Sequence, residues 1–467
     1  MTGNSAEGRD ADGPAAADHA QRFVWGGWAA ATLLALIATG VYGRWLPWSD
    51  DFDELPFICG DRPVTPAWLW EQHNEHRIPL VKLLFVCVGR LSGADYRWTL
   101  QANALFLSAT AAALILAARR LRGRTHWTDV VFPAVLLHPG HMGLVWAFHA
   151  QFVLTTVLGG LFVAVAAAAP RQAGWRVPAL ATLSCLMPLT GSSGLVMAFA
   201  AAALLVTEAI WPSPVADTVQ LPSRGVAAAG AGLTFVLTIA YLATLRLGPL
   251  ESYAGPWQTL VSGLDALSSY PGSPVARMRV PWLCATSLAI GGTIAAAAGT
   301  LRRPAITGTA RRAVMILLGY LGALMLVALA IGYGRGTRDF TPLYGHYSTL
   351  GLGVPIALAL VWAALPQTAA ARSAQAVLGL AALVVFAAHT RKTLRTWGST
   401  DESWAVIATD LRGELSPEEV AARHAAALYF VDTPDVRSKI AACVAMLRRT
   451  RFPLYCSRPA APEPAAP

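Results

Sequence analysis

Four acids occupy five consecutive positions in the run Asp50-Asp51-Phe52-Asp53-Glu54. Carboxylates this close can move protons, hold a hard divalent ion through oxygen, or form a solvated acidic turn. The acids are interleaved with Phe52, Leu55 and Phe57, which argues for a partly packed segment. Packing raises a carboxylate's pKa and makes it a better base. A second polar run follows, Glu71-Gln-His73-Asn74-Glu75-His76-Arg77. Its spacing is not the His-Glu-x-x-His of zinc proteases. His73 and Arg77 are four apart, so a helix through them would place both on one face. The run reads either as a surface helix with a Glu75–Arg77 network or as groups that bind substrate and orient the acids. A third stretch holds Arg335, Arg338, His346 and Tyr347. Two guanidinium groups there could grip a phosphate bidentately, with His346 and Tyr347 as donors; the other reading is anchoring to lipid head groups. His138, His141 and His149 form a looser set, in which a metal site is conceivable and ordinary interfacial polarity the simpler account.

These residues need a frame, and composition supplies it. The chain has 467 residues, of which 55% are hydrophobic and 13% charged. Soluble domains carry about 25% charged residues. Apolar segments at 23–42, 99–118, 151–169, 195–211, 227–245, 281–300, 313–333 and 350–365 approach the length of about 20 residues that crosses a bilayer. They must be helical, because lipid offers no partner for free backbone amides. The expectation is an all-α polytopic membrane protein of about eleven spans. Residues 1–22 are expected to be a disordered cytoplasmic terminus, 23–390 the transmembrane domain, and 391–467 an extracytoplasmic tail. The net charge of +9 lies mostly in short loops between spans, so it reports topology rather than nucleic-acid binding.

The segment 79–93 decides orientation. It is apolar but short, and contains Lys82 and Arg90. If it lies on the surface instead of crossing, the later cytoplasmic loops hold twelve arginines and the outer loops after residue 98 and before the tail five; if it crosses, the numbers exchange. The positive-inside rule selects the first arrangement. The long loop 44–97, the loop 247–279 and the stretch 334–348 then share the outer face. Ser416-Pro-Glu-Glu and Thr433-Pro434 read as starts of two helices in the tail. Cys443 and Cys456 could pair there in an oxidising compartment. Glu208 is expected to be a solvated helix terminus, and Asp95 with Arg97 to fix the turn into the second span.

One span, an acidic pair opening a long outer loop, a surface helix and then many spans resembles the GT-C class of membrane glycosyltransferases. The run 52–57, Phe-Asp-Glu-Leu-Pro-Phe, is similar to the acidic motif of protein O-mannosyltransferases. Asp50-Asp51-Phe52 together with the run 70–79 resembles related uncharacterised bacterial membrane proteins. The first alignment selects Asp53 and Glu54, the second Asp50 and Asp51, and the second matches over more residues. Where relatives often carry Arg-Tyr, this chain has His346-Tyr347. The resemblance implies a sugar donor on polyprenyl phosphate, an acceptor on the outer face (protein, lipid or glycan), membrane lipid as surroundings, and a carboxylate base for inverting attack. It implies no required cofactor; whether a divalent metal binds is left open. Glycosyl transfer needs such a base and charge stabilisation for the departing phosphate. The competing expectation is a transporter or flippase for a lipid-linked or anionic substrate, which places charges near the bilayer midplane.

Overall fold

The computed structural model describes residues 14–210, 220–246, 253–270, 279–304, 306–335, 347–429, 431–450, 452 and 454–455. Helices dominate, and among the described residues one isolated antiparallel β-bridge joins His73 and His76. In chain order the helices used below are α1 (Pro14–Val41), α2 (Asp51–Ile58), α3 (Pro66–Trp70), α4 (Pro79–Ser92), α5 (Arg97–Arg122), α6 (Val131–Leu136), α7 (Ala150–Ala168), α8 (Arg176–Leu186), α9 (Ser192–Ile210), α10 (Gln220–Ala243), α11 (Pro256–Leu267), α12 (Arg279–Leu301), α13 (Gly308–Arg335), α14 (Ser348–Gly351), α15 (Gly353–Ala364), α16 (Ala369–Arg412), α17 (Pro417–Tyr429) and α18 (Pro434–Arg449).

Among the described residues, eight helices are long and apolar enough to cross a membrane: α1, α5, α7, α9, α10, α12, α13 and the first part of α16. This is a multi-pass α-helical membrane protein. Shorter apolar helices cover Trp127–Leu136 and Ser348–Ala364. The second replaces the expected span 350–365 with α14 and α15, both fully inside the bundle. The expected disorder up to residue 22 is corrected: α1 begins at Pro14. Proline suits the first helical turn and alanine has the highest helix propensity, so Pro14-Ala-Ala-Ala starts a helix despite its low hydrophobicity.

The ends of the bundle differ. The α1 and α5 helices run antiparallel, with the Thr32 and Ser108 hydroxyls 2.7 Å apart and the Trp28 indole donating to the Ser108 carbonyl at 3.0 Å. The chain leaves α1 and re-enters α5 at the same level, where the Tyr96 amide donates to the Trp45 carbonyl (3.2 Å). Residues 42–96 therefore form one excursion at one end, and α4 belongs to it as a surface helix. The exposed Leu83 and Leu91 lie on its outward side. It stops at Gly93, whose φ of 66° is the left-handed conformation glycine adopts without penalty. Asp95 and Arg97 fix the next turn as expected, paired at 2.6 Å.

At 44 residues and about 1.5 Å of rise each, α16 is about 66 Å long, roughly twice the hydrocarbon thickness of a bilayer. The boundary expected at 390 falls inside it, because a change in side-chain polarity does not interrupt backbone hydrogen bonding. Beyond the bundle it carries α17 and α18 back over α2. Both have the expected caps: Glu419 and Ser416 bond reciprocally (2.7 and 3.2 Å), and Thr433 accepts from Val436 (3.4 Å). Phe52, Leu55 and Ile58 of α2 bury against a cluster that includes Leu428, Val444 and Leu447. Each fully buried side chain of this size contributes about 1.5–3 kcal/mol, so the tail is part of the floor of the site. Cys443 is a free thiol whose Sγ lies 3.7 Å from the Phe52 carbonyl. Its expected partner, Cys456, lies outside the described residues.

Candidate functional site

The site is assembled on α2. Asp51, Asp53 and Glu54 lie in its first turn and Asp50 directly precedes it without a side-chain capping bond, at the end where the helix dipole favours negative charge. Helical spacing separates the four acids into two pairs, each three residues apart. Asp51 and Glu54 point inward and are each 2% exposed. Asp50 and Asp53 point outward, their side chains 24% and 33% exposed.

The inward pair is structural in its contacts. Asp51 Oδ2 accepts the Trp48 amide at 3.0 Å, and the Asp51 carbonyl accepts the Tyr96 hydroxyl at 3.1 Å. Burial pushes the Asp51 carboxyl well above the usual range, and the neighbouring Asp50 adds to the rise, while the Trp48 amide and Arg44 oppose it. Arg44 stacks on the Trp48 ring, 3.6 Å from its centroid. Glu54 is raised to about 7, again chiefly by burial, with Lys82 and His73 pulling the other way. Lys82 is itself buried on α4 and donates to the Trp68 and Glu71 carbonyls, both at 2.9 Å.

The outward pair faces His73. The imidazole Nε2 lies 3.9 Å from Asp50 and Nδ1 3.8 Å from Asp53, so one ring stands between two carboxylates without a short bond to either. The ring rests on Phe148, centroids 4.7 Å apart. Asp53 is ion-paired with Lys439 of α18, which also donates to the Tyr429 hydroxyl at 2.8 Å. Asp50 has no such lysine or arginine among the described residues. The ligand atoms of Asp50, Asp53 and His73 lie within 4.8 Å of one another and form the one grouping with metal-ligand proximity among the described residues. The ammonium of Lys439 already neutralises one of those carboxylates and opposes a second cation there.

The run 73–77 corrects one expectation. It is a tight hairpin, not a helix: His73 and His76 exchange backbone hydrogen bonds of 2.7 and 2.8 Å. Asn74 takes the positive φ of 48° that asparagine tolerates, and Pro79 disfavours helix at Ile78. The side chains consequently diverge. His73 meets the acids; Asn74 contacts the His73 ring at 3.2 Å; Glu75 pairs with Arg335 at the end of α13. His76 bonds the Ser192 hydroxyl at 2.8 Å, and burial drops its pKa to about 4. Arg77 is not on the face of His73. Its guanidinium donates to the Trp70 and Thr244 carbonyls, and its amide to the Tyr241 hydroxyl at 3.0 Å.

Distant stretches do converge here. Gln72 and Arg246 exchange two bonds of 2.8 Å, and Tyr253 stacks on Tyr333. Arg338 and His346 lie outside the described residues. Tyr347 is buried in the bundle core, its ring centroid 5.7 Å from that of Phe152. His138 and His141 lie in an irregular turn, rings 5.1 Å apart, with His389 4.9 Å from His138; His149 packs separately against Trp146.

The residues missed from sequence are Lys439, Tyr429, Phe148 and Ser192. Nothing local marks the first three. Lys82 did carry a signal, as a lysine inside an otherwise apolar run. No family model, curated protein or solved structure matches this chain, so the chemistry of the site stands on its own residues.

Proposed function

We propose that the protein is a glycosyltransferase that moves a sugar from a polyprenyl-phosphate donor to an acceptor at the face of the membrane carrying α2. The observation that carries the reading is the outward pair Asp50 and Asp53 around His73, with Arg335 held one contact away by Glu75. In this reading Asp50 is the general base, since it lacks the ammonium that neutralises Asp53. His73 orients it and shares the proton. Asp53 holds Lys439. Arg335 exchanges the carboxylate of Glu75 for the phosphate of the donor; an ion pair this exposed is worth about 0–1 kcal/mol and is readily replaced. Asp51, favoured from sequence as half of the catalytic pair, becomes a positioning residue. The loop 44–97 supplies the catalytic surface and the tail 391–467 its cover.

The same reading takes the chain across the membrane eleven times, with the segments 127–136, 176–190 and 348–364 as further passes beside the eight long helices. The loops holding Arg119–Arg124, Arg171–Arg176 and Arg302–Arg312 lie at the end opposite the acids, and by the positive-inside rule this supports a cytoplasmic placement of that end, with the amino terminus.

Transport of a lipid-linked or anionic substrate is the second reading. It is favoured by the buried imidazoles of His138, His141 and His389. Purified protein in nanodiscs, supplied with polyprenyl-phosphate sugars, separates the two. Expected is release of polyprenyl phosphate with a glycosylated acceptor, lost in Asp50→Asn. Substrate passage in proteoliposomes without any glycosyl product would establish transport instead.

A further inference from the structure

At the end of the bundle opposite the acids, a cavity of about 470 Å³ opens between α7, α9 and α13. Its walls are apolar, formed by residues such as Phe162, Met197, Ala201, Met315, Gly319 and Tyr320. Its mouth is not. Arg171, Glu208 and Arg312 line it, and Glu208 is gripped by Arg176 at 3.1 Å and also by Arg312. Glu208, expected from sequence to be solvated, is 10% exposed at its side chain. Three guanidinium groups lie close enough to repel one another, and one carboxylate answers them. Arg171 has no carboxylate partner among the described residues.

We propose that this cavity binds an anionic phospholipid of the adjacent leaflet, with one acyl chain in the cavity and the phosphate at Arg171 and Arg312. Three facts support it. Among the described residues the mouth carries three guanidinium groups against one carboxylate, and basic pockets at the ends of transmembrane helices fit lipid phosphates. The volume falls in the range of about 300–1,000 Å³ usual for small-molecule sites. The wall stays open at Gly319, where an added Cβ would meet no atom within 4 Å. A glycine in mid-helix lowers helix stability unless space is needed, and here the space is the cavity itself. The small residues Gly159, Ala200 and Ala201 keep the facing walls thin. The inference is independent of sugar transfer, since it concerns the other end of the molecule.

The test is native mass spectrometry of the full chain, released from nanodiscs of equal parts phosphatidylglycerol and phosphatidylcholine. The intact protein should retain phosphatidylglycerol at least about fivefold over phosphatidylcholine. Arg171→Ala should abolish the preference, and Gly319→Leu should remove the bound lipid by filling the cavity. Arg171 is exposed, so its variant decides the head-group half even if Gly319→Leu fails to fold; Ala201→Leu then replaces it for the acyl half. Equal retention of the two lipids by the intact protein overturns the proposal. So does retention unchanged in Arg171→Ala. Loss in Arg171→Ala with full retention in the filled-cavity variants overturns the acyl placement.

Discussion

The two faces of α2 carry the same residue types and have opposite characters. Asp51 and Glu54 face inward, are desolvated and hold protons more tightly than a carboxylate in water. Asp50 and Asp53 face outward to an imidazole and an ammonium. Three residues of separation within each pair, and one residue of offset between them, turn the pairs about 100° apart on a helix. Burial, not residue identity, therefore decides which acids are available to a ligand and which hold the loop together.

The comparison is broken most directly at Asp50. Asp50→Asn should reduce transfer by about 100-fold or more, the usual range for losing a general base, with an unchanged melting temperature. A variant retaining full turnover would remove the base from this face. Asp51 should behave in the opposite way. Asp51→Ala leaves the Trp48 amide without its acceptor and should cost about 1–3 kcal/mol in stability, measured by chemical denaturation. Asp51→Asn keeps an acceptor and imitates the protonated acid, so it should restore most of that stability and retain activity within a few-fold. An inactive, stable Asp51→Asn would reverse the assignment of the two faces.

Glu54 sharpens the contrast through pH. Its folded pKa, about 7, lies above the ordinary 4.5, so the folded state binds the proton more tightly than the unfolded one. Stability is then fullest below the unfolded value and declines as pH rises through the folded one. Linkage gives roughly 1 kcal/mol lost between about pH 6 and pH 8. Glu54→Gln should flatten that dependence in thermal melts across the same range; a slope unchanged in the variant would assign it elsewhere. The smallest effect is expected from Lys439→Ala. Its partly exposed pair with Asp53 is worth about 0–1 kcal/mol, so the melting temperature should fall by no more than a few degrees; a larger fall would show that Lys439 does more than pair with Asp53.

Much of the architecture follows from local composition. Long apolar runs must be helices wherever lipid surrounds them, so seven of the eight long candidate spans were legible; the one at Ala369–Thr393 was not among the expected segments. So were the surface helix α4, the turn at Asp95 and the two capped helices of the tail, because each depends on neighbours within a few residues. The hairpin at 73–76 was less accessible. Its residues fit a helix as well as a turn, and the decision rests on the left-handed backbone at Asn74 and the proline after Ile78.

What the sequence by itself determined is that carboxylates, imidazoles and guanidiniums cluster at the ends of apolar helices. Only the tertiary structure decided how they divide. Lys439 reaches Asp53 across 386 positions of chain, and Arg335 reaches Glu75 across 260. Contacts at that separation leave no periodic trace, since they depend on how the helices pack and on the tail folding back along α16. The inward turn of Asp51 and Glu54 is set in the same way, by the apolar side chains of α2 choosing the face that the tail and α4 cover.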